Sequence, residues 1–205
     1  MKKKNFALYL IAASIIFTGA WASCKENSGA SDTGSKNGDK VQQLSGNKKI
    51  LVAYFSRTGS TREIAGQIQK ITGGDIFEIQ GVKPYPSDYE EAKTVAMQEL
   101  KSGYKPPLKN KINIRSYDII IIGYPIWWGT YPAPVKTFLS ENDFSGKTIV
   151  PFSTHLGSGL GISVKDIKKL CPDSTLLEGI SIWGNDTKTA QNKVTQWLRK
   201  IEIIK

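Results

Sequence analysis

From residue 48 to the C-terminus, short apolar runs alternate with longer stretches in which apolar residues recur every three to four positions. A strand that is buried on both faces of a parallel sheet has such an uninterrupted apolar character. The strongest run is Ile119 to Ile122, four isoleucines in a row. The pattern predicts five strands, at residues 50–55, 75–79, 117–123, 148–152 and 176–182.

The stretches between the strands have the 3.6-residue periodicity of amphipathic helices. They predict helices at residues 61–71, 87–101, 134–140, 162–170 and 187–201. Ser87 with Glu90 three residues later predicts a capping box at the second helix, and Asp186 is the expected N-cap of the last. Strands alternating with helices indicate right-handed crossovers and an α/β, doubly wound parallel sheet with helices on both faces.

The loop after the first strand is rich in hydroxyl groups and leads directly into a helix. A helix N-terminus offers unpaired N–H groups and partial positive charge, so it can bind a phosphate. A glycine there lets the backbone approach a ligand, and no Walker pattern is present, which disfavours a nucleoside triphosphate. An ordinary polar turn is the alternative. The candidate phosphate-binding residues are Ser56, Arg57, Thr58, Gly59, Ser60 and Thr61.

The pattern Ser56-x-Thr58-Gly59-x-Thr61 after an apolar strand, with Ala65 on the following helix, resembles the phosphate loop of the flavodoxins. The resemblance covers about residues 48–205. It implies a flavodoxin-like fold with five strands in the order 2-1-3-4-5. It also implies non-covalently bound FMN as the cofactor.

The same resemblance places flavin contacts in the loop after the third strand, at Pro125, Ile126, Trp127, Trp128 and Gly129. An isoalloxazine ring is large, flat and apolar, and tryptophan offers it contact area at little cost in entropy. Adjacent residues at a strand end point in different directions. One tryptophan could therefore belong to the core while the other contacts the flavin, and the sequence does not decide which.

The loop after the fourth strand is implied to flank the pyrimidine edge of the flavin, through Ser153, Thr154, His155, Gly157, Ser158 and Gly159. His155 is the only histidine and the one candidate for a catalytic role, as a proton donor or positive partner of the flavin. A loop histidine that hydrogen-bonds the backbone is the alternative. Without a second histidine or clustered carboxylates, no metal site is expected.

The connection between the second and third strands, residues 81–111, is rich in tyrosine and proline and could form a cap over the flavin. Tyr85 and Tyr89 are candidate substrate contacts, although ordinary packing explains them as well. Cys171 precedes Pro172 at the expected end of a helix, with no basic cluster to activate it. We therefore expect Cys171 to be a buried thiol.

Residues 1–47 are not expected to belong to the domain. Three lysines precede an apolar stretch of about fifteen residues, which is typical of a secretory signal and short of the ~20 that span a membrane. The following Ala22-Ser23-Cys24 resembles the lipobox of bacterial lipoproteins, although Trp21 replaces the usual aliphatic residue. We expect a signal peptide at 1–23, a lipid on Cys24 and a polar flexible tether at 24–47. An ordinary secreted protein is the alternative.

The formal net charge of +10 lies mostly in the domain. Residues 48–205 have 22 Lys and Arg against 15 Asp and Glu, a net charge of +7. A basic surface favours anionic partners, but no basic run is interleaved with aromatics, so nucleic acid is not expected.

The sequence thus predicts an FMN-dependent redox protein of the cell envelope, on its periplasmic or surface side, held there by its lipid alone. It would act as an electron carrier with a redox partner or reduce a quinone-like substrate. A lipoprotein that binds FMN, phosphate or an anionic partner without turnover is the alternative.

Overall fold

The structure, a computed structural model, describes residues 48–205. Its centre is a parallel sheet of β1 (Ile50–Tyr54), β2 (Asp75–Glu78), β3 (Ile119–Pro125), β4 (Thr148–His155), β5 (Thr175–Leu176) and β6 (Ile180–Trp183). The order is β2-β1-β3-β4-β5, and β6 also pairs with β4. The flavodoxin-like fold is therefore confirmed. The signal peptide, Cys24 and the tether lie outside the described residues.

The helices are α1 (Ser60–Thr72), α2 (Tyr89–Ser102), α3 (Ala133–Glu141), α4 (Ser163–Leu170) and α5 (Gln191–Lys200), with a 3-10 helix at Gly184–Thr189. Residues of β1 alternate between two cores, as a pleated strand requires. Ile50, Val52 and Tyr54 pack with α1 and α5 on one face. Leu51 and Ala53 pack with α3 and α4 on the other. Among residues 48–205, no helix is long and apolar enough to cross a membrane.

The expected single fifth strand at 176–182 is wrong, because the chain forms two short strands on the same side of β4. β5 pairs with Thr148 and Ile149, and β6 begins to pair at Phe152. The gap lies beside Pro151, which has no backbone N–H to donate to a neighbouring strand. Gly179 passes so close that a Cβ there would lie 2.8 Å from the Pro151 carbonyl oxygen.

Two expected helix caps are also wrong. The N-cap of α2 is Asp88, whose side chain accepts a 2.9 Å hydrogen bond from Glu91 N, so the cap lies one residue after Ser87. The Ser87 carbonyl instead accepts a hydrogen bond from Arg57. Asp186 does not cap the last helix, because it lies inside the 3-10 helix and α5 begins only at Gln191.

β3 extends two residues and β4 three residues beyond their expected ends, to Pro125 and His155. Residues expected in loops, such as Tyr124 and Thr154, are therefore the last buried residues of strands. Next to β1 the strand order reverses, since β2 lies on one side and β3 on the other. The loops that leave β1 and β3 diverge there and open a crevice, the usual ligand site of such sheets.

Candidate functional site

The crevice contains an open cavity of about 470 Å³, within the size range of small-molecule sites. It lies at the carboxyl ends of β1, β3 and β4. Eleven of the expected cofactor-binding residues line it: Ser56, Arg57, Thr58, Ser60, Thr61, Pro125, Ile126, Trp127, Thr154, His155 and Ser158. Three separate loops therefore meet at one site, as the sequence predicts.

The other expected contacts, Gly59, Trp128, Gly129, Ser153, Gly157 and Gly159, are not part of this lining. Ser153 is fully buried and donates its hydroxyl to the Gly159 carbonyl at 2.9 Å, which shapes the loop from below. Leu156, Gly184 and Asn185 line the cavity although the sequence did not single them out. Gly184 and Asn185 follow β6, whose carboxyl end lies beside that of β4.

Gly59 shapes the α1 end of the cavity. It is the N-cap of α1 and has φ +100°, a conformation that favours glycine. Its N–H donates to Ser56 Oγ at 3.1 Å, and its carbonyl accepts the first bond of the helix, from Glu63 N at 2.9 Å. The N–H groups of residues 60–62 precede that bond, so they have no intrahelical acceptor. The helix therefore presents donors and partial positive charge to the cavity.

Thr61 joins two of the three loops. Its hydroxyl and that of Thr154 lie 2.8 Å apart in a buried hydrogen bond, although 93 positions separate them in the sequence. Both residues line the cavity and both are almost fully buried. Because a buried hydroxyl is costly to leave unpaired, this bond fixes the start of α1 against the end of β4.

Trp127 and Trp128 have different environments because a tight turn separates them. Trp127 and Thr130 exchange two backbone hydrogen bonds, of 2.8 and 3.1 Å, around Trp128 at φ 51° and Gly129 at φ 83°. The Trp127 ring packs edge-on against Phe55, with the ring centroids 5.7 Å apart, and lines the cavity. Trp128 is 45% exposed and donates its Nε1–H to the Lys93 carbonyl on α2.

The turn is held from behind by a close backbone contact. The Gly129 carbonyl accepts a 2.8 Å hydrogen bond from Ile162 N, so it is directed away from the cavity. Gly161 has φ +53°, and a Cβ there would lie 2.0 Å from the Gly129 oxygen. Only glycine permits this approach between the β3–α3 turn and the segment that precedes α4.

The flavodoxin family model matches residues 49–201. The chain belongs to the flavodoxin family. Two solved structures described as flavoproteins are similar to it. The one from Bacteroides eggerthii has 37% identity and a TM-score of 0.67, and the match covers 77% of this chain and 99% of that one. The one from Bacteroides uniformis has 33% identity and a TM-score of 0.65, and the match covers 74% of this chain and 98% of that one. A Lactobacillus acidophilus flavoprotein, solved in complex with FMN, has the same fold. Its identity is 21% and its TM-score 0.56, and the match covers 72% of this chain and 99% of that one. No curated protein matches the chain.

The match to the Bacteroides eggerthii protein bears on how much of this flavodoxin is needed for folding. It covers 99% of that chain with 77% of this one. Within the described residues, the two hydrophobic cores consist of residues between 50 and 204. Residues 48–205 therefore contain both of these cores, and we expect them to fold without the segment before them.

His155 lies at the cavity with its Nδ1 facing the backbone. Nδ1 accepts a 2.9 Å hydrogen bond from Gly157 N, so that nitrogen carries no proton. Partial burial, and the positive charge of Lys193, lower the pKa of the imidazole. His155 in this flavodoxin is therefore neutral at pH 7. This favours the loop histidine that bonds the backbone over a positively charged partner, and leaves the Nε2–H as a donor at the cavity.

We expect a pH effect on stability from His155. Because folding lowers its pKa, the folded state favours the neutral ring; the resulting stability is complete above the unfolded pKa of about 6.5 and is lost as pH falls through the folded value. His155→Asn keeps an acceptor for Gly157 N–H but does not titrate. Thermal unfolding between pH 7.5 and 5 should therefore show a steeper decline for the wild type than for the variant. Parallel curves would contradict the Nδ1 arrangement.

The remaining candidates, Tyr85, Tyr89 and Cys171, have different environments. Tyr85 donates its hydroxyl to Glu99 and packs edge-on against Trp127, which fits ordinary packing rather than substrate contact. Tyr89 is 60% exposed and lines the cavity. Cys171 is buried, and burial raises the pKa of its thiol to about 11. Residues 48–205 contain no group of three or more His, Cys, Asp or Glu side chains that could hold a metal.

Proposed function

We propose that this flavodoxin binds FMN in the cavity at the carboxyl ends of β1, β3 and β4 and serves as a redox protein of the cell envelope. The observation that carries the proposal is the pairing of an open helix N-terminus with an aromatic ring in one cavity. The Gly59–Thr61 start of α1 lies at one side of it, and Trp127 lies at another. The Lactobacillus acidophilus flavoprotein, which shares the fold, was solved with FMN.

The α1 end of the cavity fits a phosphate. Its donors are the N–H groups of the first turn of α1 and the hydroxyls of Ser56, Thr58 and Ser60, which line the cavity. Arg57 also lines it and is the one positively charged side chain there, with no Asp or Glu in the lining to compete for it. Oriented dipoles, hydroxyl donors and a positive charge together match a phosphate dianion.

The other end fits a flat, partly polar ring. Ile126 and Trp127 supply apolar area, and the exposed Leu156 adds more from the β4 loop. The His155 Nε2–H and the backbone around Ser158 supply polar groups at the same edge. Sites of this kind bind most of their ligand through apolar contact and orient it by a few polar groups.

FMN, when bound, supplies reversible one- or two-electron chemistry. The chain itself binds and orients. The Thr61–Thr154 hydrogen bond holds the α1 and β4 sides of the cavity in register. The double hydrogen bond between Trp127 and Thr130 fixes the backbone at Trp127, and edge-on contacts with Phe55 and Tyr85 hold its ring. Trp127 and Leu156 exclude water from part of the cavity, which strengthens polar contacts inside it.

The location at the envelope is supported by the sequence of residues 1–47, with its signal-like start and Cys24. Lipid on Cys24 would make the attachment to the membrane, and the polar tether would give the domain freedom above it. Metabolic labelling of the full chain with a radioactive fatty acid should label the wild type and not Cys24→Ser. Equal labelling of both would contradict lipidation at Cys24.

FMN binding can be tested through Gly59. Gly59→Ala places an L-residue at φ +100°. Because such a conformation costs roughly 1–2 kcal/mol, the loop should relax and move the α1 donors from the phosphate. FMN titrations, followed by quenching of flavin fluorescence, should show binding roughly tenfold weaker.

Gly73→Ala is the matched control for Gly59→Ala. Gly73 caps the other end of α1 at φ +69°, also with open space at the position of a Cβ. It should lose similar stability and keep wild-type FMN affinity. Equal losses of affinity in the two variants would remove the α1 N-terminus from the binding site.

Turnover decides between an enzyme and a carrier. The FMN-loaded domain would be mixed with NADH or NADPH and a soluble benzoquinone, and nicotinamide oxidation followed by absorbance. Rapid oxidation that depends on the quinone supports a quinone-type reductase. No oxidation, together with reversible reduction of the protein by dithionite, supports an electron carrier. Binding of FMN without reversible reduction would support the alternative of a binding protein without turnover.

A further inference from the structure

A second cavity of about 220 Å³ lies between α2 and the β3–α3 turn. Ala92 and Ala96 of α2 form one side of it, and Trp127 and Trp128 form part of the other. The two alanines are among the few buried residues of α2, and their small side chains leave the space open. None of the steps proposed above uses this cavity.

The second cavity adjoins the proposed FMN cavity. Arg57, Tyr89, Ile126 and Trp127 line both. A ligand in the second cavity would therefore lie next to the aromatic wall against which the flavin is proposed to bind. A molecule that exchanges electrons with the flavin would have to bind next to it in this way.

Polar contacts hold α2 above the cavity. Trp128 donates its Nε1–H to the Lys93 carbonyl at 3.0 Å. The Arg57 guanidinium donates to the carbonyls of residues 86–88, at 3.3, 2.6 and 3.1 Å. These bonds tie the start and the first turns of α2 to the two loops below it, so the cavity has fixed walls rather than a loosely packed gap.

The charge of the cavity is positive. Arg57 and Lys93 line it, and no Asp or Glu does. Arg57 makes no salt bridge within residues 48–205, since its partners are carbonyl oxygens. Lys93 pairs with Glu90 on the solvent side of the same helix. The rest of the lining is aromatic or aliphatic, which favours a ligand that combines a flat apolar body with an anionic group.

We propose that the cavity between α2 and the β3–α3 turn binds a planar aromatic anion of one or two rings, next to the flavin. Apolar cavities of about 150 Å³ hold benzene, so this slightly larger one can accept a substituted ring or two fused rings. The anionic group lies toward Lys93 and Arg57. The proposal rests on the proposed function, because it makes this cavity the substrate site beside bound FMN.

The test uses the FMN-loaded domain of residues 48–205 and 2-naphthalenesulfonate, a two-ring anion that is not itself reduced. Calorimetry measures its binding to the wild type and to Lys93→Glu, which reverses the charge at the cavity. Lys165→Glu, on the exposed face of α4, is the control with the same change in net charge. Ala92→Leu fills the cavity without changing its charge, and neutral 2-naphthol tests the need for the anion.

The expected result is one bound sulfonate per domain, held about tenfold less tightly by Lys93→Glu and with unchanged affinity by Lys165→Glu. Ala92→Leu should lose binding of both probes, and the wild type should prefer the sulfonate to 2-naphthol. All three variants should bind FMN as the wild type does. Normal FMN binding with no sulfonate bound, or with the same affinity in every variant, overturns the substrate site and leaves the proposed function standing. Failure to bind FMN overturns both.

Discussion

Trp127→Ala is expected to weaken FMN binding roughly ten- to a hundredfold, since stacking of a nucleobase on an aromatic side chain is worth about 1–3 kcal/mol and a flavin offers a larger face. The Trp127 ring lines the cavity and is held by edge-on contacts with Phe55 and Tyr85, at centroid distances of 5.7 and 4.8 Å. Removing a half-buried ring should also cost about 2–3 kcal/mol of stability. FMN titration and urea unfolding measure the two effects separately.

Trp128→Ala is the neighbouring control. Trp128 lies outside the FMN cavity and makes its polar contact with α2. Position 128 has an L-residue at positive φ in the wild type and in the variant, so the substitution adds no new backbone strain. FMN affinity should stay within about twofold of the wild type, which corresponds to a binding free energy of only about 0.4 kcal/mol. If Trp128→Ala lost more FMN affinity than Trp127→Ala, the assignment of the two tryptophans would be reversed.

Gly161→Ala is expected to lower the free energy of unfolding by about 2–5 kcal/mol, the sum of the costs of an L-residue at positive φ and of an overpacked contact. The new Cβ would lie 2.0 Å from the Gly129 oxygen, and that neighbour is backbone, which cannot rotate away. The hydrogen bond from Ile162 N to the same oxygen would be broken. Since Gly129 belongs to the turn that positions Trp127, FMN affinity should fall with stability.

Gly146→Ala is the control that has the backbone strain of an L-residue at positive φ without a close contact. Gly146 has φ +71° and no atom within 4 Å of a Cβ position, and it lies in the turn before β4, on the side of the sheet opposite the cavity. The free energy of unfolding of this variant should fall by only about 1–2 kcal/mol, and its FMN affinity should not change. Similar losses in the two variants would mean that the approach of Gly161 to Gly129 does not support the site.

Local sequence patterns predicted the β1–α1 loop well. An apolar strand, a polar loop with glycine and the start of a helix are adjacent in the chain, so their geometry follows from short-range rules. Gly59 and Ser56 are an example, since the turn that they form spans only four residues. The parallel, doubly wound sheet followed from the alternation of strand and helix, and the order of its strands followed from the family resemblance.

Contacts between distant segments were not predictable in the same way. The Thr61–Thr154 bond joins residues 93 positions apart, and Gly184 reaches the cavity only because β6 pairs with β4. The orientation of Trp128 depends on its positive φ, which is rare for an aromatic residue and leaves no local pattern. The break in the fifth strand depends on Pro151 in a different strand, and the cap of α2 moved by one residue where Arg57 binds the Ser87 carbonyl.

The most direct test of the central claim compares FMN with riboflavin, which differ only by the phosphate. Titration of the domain with each, followed by flavin fluorescence, separates binding of the ring from binding at the α1 N-terminus. If the phosphate binds the α1 donors and the hydroxyls of the β1–α1 loop, FMN should bind roughly a hundredfold more tightly than riboflavin, about the worth of two charge-assisted hydrogen bonds. Equal affinities, or no binding of FMN at micromolar concentration, would contradict an FMN site in this cavity.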